Sequence, residues 1–243
     1  GMKIMIRAKV QYSEVFGMSA IMSDINAEFS IGDMERMRRE TLKKLKEDGV
    51  IDMQKTHTLP RALQKIAVVS SETAAGYGDF VNQLENNQYG LKFNVTLYPA
   101  LVQGNDAPAS IIDALDKIAS ESDVPDIVAI IRGGGSRTDL LCFDDYDLAS
   151  NIAQFPCPIV TGIGHERDES VADMVSFLKV KTPTAVAEFL IDYNARLLRL
   201  LDELAESVRN AARESVSLNQ RRFEMCAINL RNSAYSRIVE GRS

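Results

Sequence analysis

Two short apolar runs, 126–131 and 159–163, each stop abruptly at glycine and polar side chains. The first opens into Arg132-Gly133-Gly134-Gly135-Ser136, the second into Gly164-His165-Glu166-Arg167-Asp168. Bare glycine backbone lets N–H groups close on an anion in a concave nest. An arginine adds a planar, permanently charged fork suited to phosphate oxygens. A histidine can pass a proton near neutral pH, and an aspartate three residues on can orient it or activate water. Together these types suit chemistry on a phosphate ester. A third run, 66–70, ends in Ser70-Ser71-Glu72-Thr73, followed by Gly76, Gly78 and Asp79. The hydroxyls of Ser70, Ser71 and Thr73 suit phosphate oxygens as well, while Asp79 reads as a helix cap or as a working carboxylate.

Each motif has a plainer reading. Arg132 with three glycines is also an ordinary turn with a structural arginine. The triplet matches neither the P-loop nor the dinucleotide fingerprint, since no GK[ST] follows and no GxGxxG spacing occurs. Asp144, Asp145 and Asp147 read as a helix start favoured by the macrodipole. His57 reads as solvent-exposed. Cys142, Cys157 and Cys226 are odd in number and scattered, which argues against a disulfide framework or zinc site and suits a reducing cytoplasm. No Asp or Glu stands two residues before a Lys, which removes the (D/E)xK pattern of many metal-dependent nucleases.

The elements that must position these groups follow from periodicity. From residue 61 onward strands and helices alternate: strands at 66–70, 93–98, 126–131 and 158–163, helices at 78–87, 108–120 and 145–154. That alternation predicts a mostly parallel sheet with right-handed crossovers, and ligand sites lie at the carboxyl ends of such strands. Residues 3–10 and 15–24 alternate with period two and read as two antiparallel strands, the tail of a small β-domain. Residues 33–48 read as a helix with Asp33 at the N-cap, Met34, Met37, Leu42 and Leu45 on one packing face, and Gly49 at C′. Residues 50–60 read as a linker. Thr182-Pro183 reads as an N-cap and N1 pair opening a long helix. Leu190, Leu197, Leu201, Leu204, Val208 and Ala211 then form a weak heptad seam, with a break near 215–219 and a second helix at 220–240. The seam suits either a helix pair closing one face or the root of a coiled coil that recruits a partner.

Composition sets bounds. The 243 residues are 45% hydrophobic and carry a net charge of −6. No apolar run approaches the ~20 residues of a membrane span, and no signal peptide opens the chain. Gly1 ahead of Met2 reads as an expression scar on a piece excised from a longer protein. Residues 61–180 carry 8 basic against 17 acidic residues, a net of −9. That balance is awkward for nucleic-acid binding unless basic contacts come from elsewhere.

Read in order, Leu59-Pro60, Ile66–Ser71, Tyr98-Pro-Ala-Leu-Val-Gln-Gly104, Arg132–Ser136, Asp139-Leu140, Phe143, Gly164–Asp168, Ala172-Asp173 and Thr182-Pro-Thr-Ala-Val-Ala-Glu188 resemble the large subunit of exodeoxyribonuclease VII. The combination of RGGGS, GHE-x-D and TPT-A-x-AE carries the likeness over roughly 55–190. Ile131 departs from it where a glycine often precedes the arginine, and Arg167 stands where many members have threonine. The resemblance implies an exonuclease that hydrolyses single-stranded DNA from both ends to short oligonucleotides. It implies an α/β nuclease core at 61–190 and, at 1–30, two strands left from an OB-fold. Between them, 31–60 is a linker helix, and 191–243 are C-terminal helices rooting a coiled coil. Those helices would hold several small subunits, with self-association a further expectation. Its essential positions fall on Asp79, Arg132, His165 and Asp168. Some members need magnesium, for which Asp79 is the candidate ligand, and others work without it. The competing expectations are a nucleotide- or sugar-phosphate-binding α/β enzyme, which tight binding of a free nucleotide would favour, and a non-catalytic assembly scaffold.

Overall fold

The computed structural model describes residues 5–13, 17–134, 137–164 and 169–240. The chain divides into two compact units, Gly1–Asn194 and Ala195–Ser243.

The first unit opens with an antiparallel hairpin, β1 (Met5–Ser13) and β2 (Gly17–Asn26), whose register shifts between Arg7 and Ala8. Val10, Tyr12 and Met18 are exposed on it. Helix α1 spans Ala27–Glu47, beginning six residues before the expected cap at Asp33. Its end is as the sequence predicts. Gly49, at φ 71, gives its N–H to Lys46 O, and Val50 gives its N–H to Leu45 O, a Schellman closure that only a left-handed residue permits cheaply. The expected methionine stripe is corrected in part. Leu45 is fully buried, Leu42 packs beside it, and Met37 is exposed.

Residues 50–60 are not a free linker. Gln54 is fully buried and gives its amide N–H to Phe155 O and Cys157 O, while Ile159 N donates to Gln54 Oε1 at 2.9 Å. His57 is half-buried with Nε2 3.0 Å from Phe155 O, which corrects its reading as solvent-exposed. A periodicity argument misses both, because each serves the backbone of a segment about a hundred residues away.

The remaining strands form one parallel sheet: β3 (Lys65–Ser70), β4 (Asn94–Pro99), β5 (Ile127–Ile131), β6 (Ile159–Gly162) and β7 (Leu178–Lys179), in the order β4-β3-β5-β6-β7. Strands β3, β5 and β6 are buried almost throughout, as expected of strands covered on both faces. Alternate residues of β3 and β5 go to opposite cores. Ala67, Val69, Val128 and Ile130 pack under α3 (Ala107–Ser120) and α4 (Tyr146–Gln154), against Ile111, Leu115, Leu148 and Ile152. Ile66, Val68, Ile127 and Ile131 meet Phe80 and Leu84 of α2 (Ala75–Glu85) and Val186 and Leu190 at the start of α6 (Pro183–Glu240). The Asp145 carboxylate caps α4 by accepting from Leu148 N, so the acidic cluster does start a helix. Three pieces were not anticipated: a 3-10 segment Arg137–Asp144, the five-residue helix α5 (Val171–Val175), and β7. Each is too short to show a period.

Thr182 caps α6 by accepting from Ala185 N, as its position before Pro183 suggests. The helix then runs unbroken to Glu240, so the expected break at 215–219 is absent among the described residues. The residues there, Ser215-Val-Ser-Leu-Asn219, lower helix propensity without containing glycine or proline. In the second unit Leu201, Leu204 and Val208 are exposed. Leu190, expected in the same seam, is fully buried in the first unit's core. Among the described residues no helix is long and apolar enough to cross a membrane.

Candidate active site

Strands β3, β5 and β6 are adjacent and parallel, so their carboxyl ends share one rim. In chain order the sheet reads 2-1-3-4-5, the doubly wound arrangement. Its crevice opens where connections from neighbouring strands leave to opposite faces. That point lies between β3, whose connection is α2 on one face, and β5, whose connection leads to α4 on the other. Ser70 ends β3, and Arg132 follows directly on β5.

Glycines set how closely the rim closes. A Cβ on Gly76 would lie 2.9 Å from both Gly133 Cα and Pro183 Cγ. A Cβ on Gly133 would lie 3.2 Å from Gly76 N, and one on Gly162 would lie 2.5 Å from Val186 Cγ2. Thus the start of α2 and the loop after β5 meet backbone to backbone, with the Pro183 ring at the start of α6 packed against Gly76. Gly134 faces open space: a Cβ there would meet nothing within 4 Å among the described residues. The first glycine of the triplet is therefore tightly packed against the backbone of Gly76, and the second is left open by the described residues for the approach of a ligand.

Arg132 is 3% exposed. Its backbone N donates to Gly162 O at 3.2 Å, tying the loop after β5 to the end of β6. Its Nη2 lies 3.3 Å from Asp139 Oδ2. Ser70 is fully buried, and its hydroxyl, on the α2 face of the sheet, has no hydrogen-bond partner among the described residues. Ser71 is half-buried with its Oγ 3.3 Å from the hydroxyl of Thr73, which is exposed. Asp79 is exposed one turn into α2, because the helix begins at Ala75 rather than at 78; it is not a cap. It lines a groove of about 520 Å³ with Asn82, Gln83, Thr184, Glu188 and Asp192. This places Thr184 and Glu188 of the TPT-A-x-AE motif beside Asp79. Gly135, Ser136, His165 and Asp168 lie outside the described residues. The segment holding the last two is bracketed by Gly164, at φ 93, and Glu169.

The base of that segment is fixed by groups whose role the sequence does not announce. Ser170 and Asp173 form a reciprocal capping box on α5, visible in hindsight as S-x-x-D. Asp173 also accepts from Thr161 Oγ1 of β6 at 2.6 Å. Asp144, at the end of the 3-10 segment, accepts from Val171 N at 2.8 Å. Burial pushes the Asp144 carboxyl above the usual carboxylate range, against the opposing pull of the Val171 N–H and Arg38. Burial also holds the Cys142 thiol up at about 11 and Cys157 at about 12, so both stay protonated at neutral pH and neither is a ready nucleophile. Among the described residues no group of three or more His, Cys, Asp and Glu side chains converges as a metal cage. Asp79 alone does not make a donor set.

Comparison with known proteins gives the arrangement its context. The sequence pattern of the family described as "Exonuclease VII, large subunit" matches residues 50–242. The chain is 31% identical over 235 residues to an exodeoxyribonuclease 7 large subunit of Campylobacter lari, covering 97% of this chain and 59% of that protein. It is 39% identical over 165 residues to the namesake from a Nostoc species, covering 68% and 39%. With that of Cronobacter sakazakii it shares 32% over 223 residues, covering 92% and 48%. The chain thus spans about half the length of the curated relatives it matches. With the carboxyl ends of β3, β5 and β6 on one rim and the family pattern running through the sequence motifs that follow them, this chain belongs to the exonuclease VII large subunit family.

Proposed function

We propose that the chain carries the nuclease core of an exodeoxyribonuclease that hydrolyses phosphodiester bonds of single-stranded DNA to short oligonucleotides. The observation that carries this reading is the shared rim. Arg132, the glycine loop behind it and the end of β6 that leads to His165 belong to adjacent strands joined by the Arg132 N–H to Gly162 O bond. One phosphate at the crevice then faces them together.

Hydrolysis requires an activated water, stabilisation of charge on the phosphate and a proton for the leaving oxygen. Arg132 and the N–H groups of Gly133, Gly134 and Gly135 take the phosphate charge. His165 moves the proton, and Asp168 orients it. Asp79 activates water; were magnesium bound, Asp79 would supply one carboxylate and the ion would need further donors. Ser71, Thr73 and Ser136 contact neighbouring phosphates. The exposed Leu201, Leu204 and Val208 support docking of the family's small subunit on α6, in a cytoplasmic enzyme whose strand-binding module contributes the basic contacts that residues 61–180 lack.

Single alanine changes at Asp79, Arg132, His165 and Asp168 in the full-length complex test the assignment. Each is expected to lower cleavage of single-stranded DNA by ~100-fold or more without unfolding the protein. Near-normal cleavage by folded His165→Ala and Asp168→Ala variants would overturn the roles. Assay with and without a chelator decides the magnesium question.

A further inference from the structure

We infer that Asp139 is a positioning residue that fixes the direction in which Arg132 presents its guanidinium; the inference rests on the proposed nuclease reading. Arg132 is 3% exposed, so its charge is almost stripped of water, and the Asp139 carboxylate stands 3.3 Å from Nη2. The guanidinium is a rigid plane of five N–H donors, so holding one nitrogen sets where the others aim. Asp139 is itself held. It sits in the 3-10 segment Arg137–Asp144, which sinks Leu140 and the fully buried Phe143 into the core. Cys142 Sγ donates to Asp139 O at 3.1 Å. Asp144, the last residue of that segment, binds Val171 N at the base of the His165 segment. The carboxylate that orients the arginine therefore belongs to a piece anchored to both the core and the start of α5. Its side chain is 36% exposed, so it does not need the pair for its own solvation, whereas the arginine has little water to replace it.

The test compares wild type with Asp139→Asn in the full-length complex, using steady-state cleavage of single-stranded DNA. The isosteric amide removes the charge and keeps the volume. The expected result is a loss in kcat of about tenfold or more with KM within about twofold, since misdirection is felt at the transition state more than in binding. Asp139→Glu should recover part of the loss, and Asp139→Asn should add less than about threefold in an Arg132→Lys background. A second readout needs no activity: the guanidinium N–H signals of Arg132 in ¹⁵N spectra of the 243-residue chain should shift or broaden in Asp139→Asn. Unchanged guanidinium signals, or a folded Asp139→Asn enzyme with kcat within twofold of wild type, would overturn the inference. Should Asn impair folding, Asp139→Ser is read by the same two measurements. If the wild type itself does not cleave single-stranded DNA, the nuclease reading fails, and the Arg132 signals still decide whether Asp139 holds the guanidinium.

Discussion

At the residue scale, two half-buried carboxylates at the end of the 3-10 segment show how hydrogen bonding divides similar groups. Asp145 caps α4 by accepting from Leu148 N, while its neighbour Asp144 accepts from Val171 N. Its raised pKa arises first from burial, is opposed by Val171 N–H and Arg38, and is raised further by Asp173 and Glu35. A folded-state pKa above the unfolded value means that the native protein holds this proton more tightly. The contribution of Asp144 to stability is then greatest below the ordinary carboxylate range and is lost as pH rises through its folded value. Asp144→Asn keeps an oxygen acceptor for Val171 N and cannot ionise. Urea midpoints measured between about pH 3 and about pH 7 should therefore fall less steeply toward neutrality in the variant than in wild type. Parallel profiles would show that Asp144 does not titrate differently in the native state. Arg132 is the complementary case. The sequence marks it as a phosphate ligand by its glycine neighbours, but nothing in the sequence tells that it is buried or that its partner stands seven residues away. That partner lies in a segment too irregular for any periodicity to place.

At the scale of elements, the sheet was legible because β3, β5 and β6 are buried on both faces and read as unbroken apolar runs that stop at glycine or polar residues. Four of the five strands and the helices α2, α3 and α4 follow from that pattern within a few residues. The two-residue β7 and five-residue α5 do not, since two residues carry no alternation and five no helical face. Nor could the sequence assign each glycine a job. Gly162 looks like part of the phosphate-binding strand end, yet it is the position where a side chain would strike α6, 2.5 Å from Val186 Cγ2 and 3.1 Å from Thr182 O. Gly162→Ala should destabilise the first unit by about 1–3 kcal/mol, because the backbone of Thr182 cannot retreat as a side chain can. Trimming the other neighbour in Gly162→Ala/Val186→Ala should recover only part of the loss. Equilibrium denaturation of both variants checks this, and an unchanged midpoint for the single variant would mean that α6 is not seated against β6. Gly134→Ala, with nothing within 4 Å of the new Cβ among the described residues, should leave the midpoint within about 0.5 kcal/mol of wild type, so any loss of cleavage there reports on the ligand rather than on folding.

At the scale of the whole molecule, the chain separates a core whose apolar surface is covered from a helical unit whose apolar surface is not. In the first unit the aliphatic residues of α6, such as Val186 and Leu190, are fully buried. In the second, Leu201, Leu204 and Val208 repeat at spacings of three and four with more than half of each side chain in water, and Phe223 and Leu230 are more exposed still. A stripe of this kind costs solvation and gives nothing back until another helix covers it; burying each leucine is worth about 1.5–3 kcal/mol. Combined with the proposed small subunit, the stripe makes a separable prediction. Leu201→Asp/Leu204→Asp in the full-length large subunit should abolish co-purification with the small subunit. The thermal midpoint of the first unit should be unaffected, since neither side chain belongs to its core. His165→Ala should do the reverse, leaving assembly intact while removing cleavage. If the double aspartate variant still holds its small subunit in full, another surface recruits the partner. If His165→Ala loses the partner together with activity, recognition and catalysis are not divided along this chain in the way that its buried and exposed leucines imply.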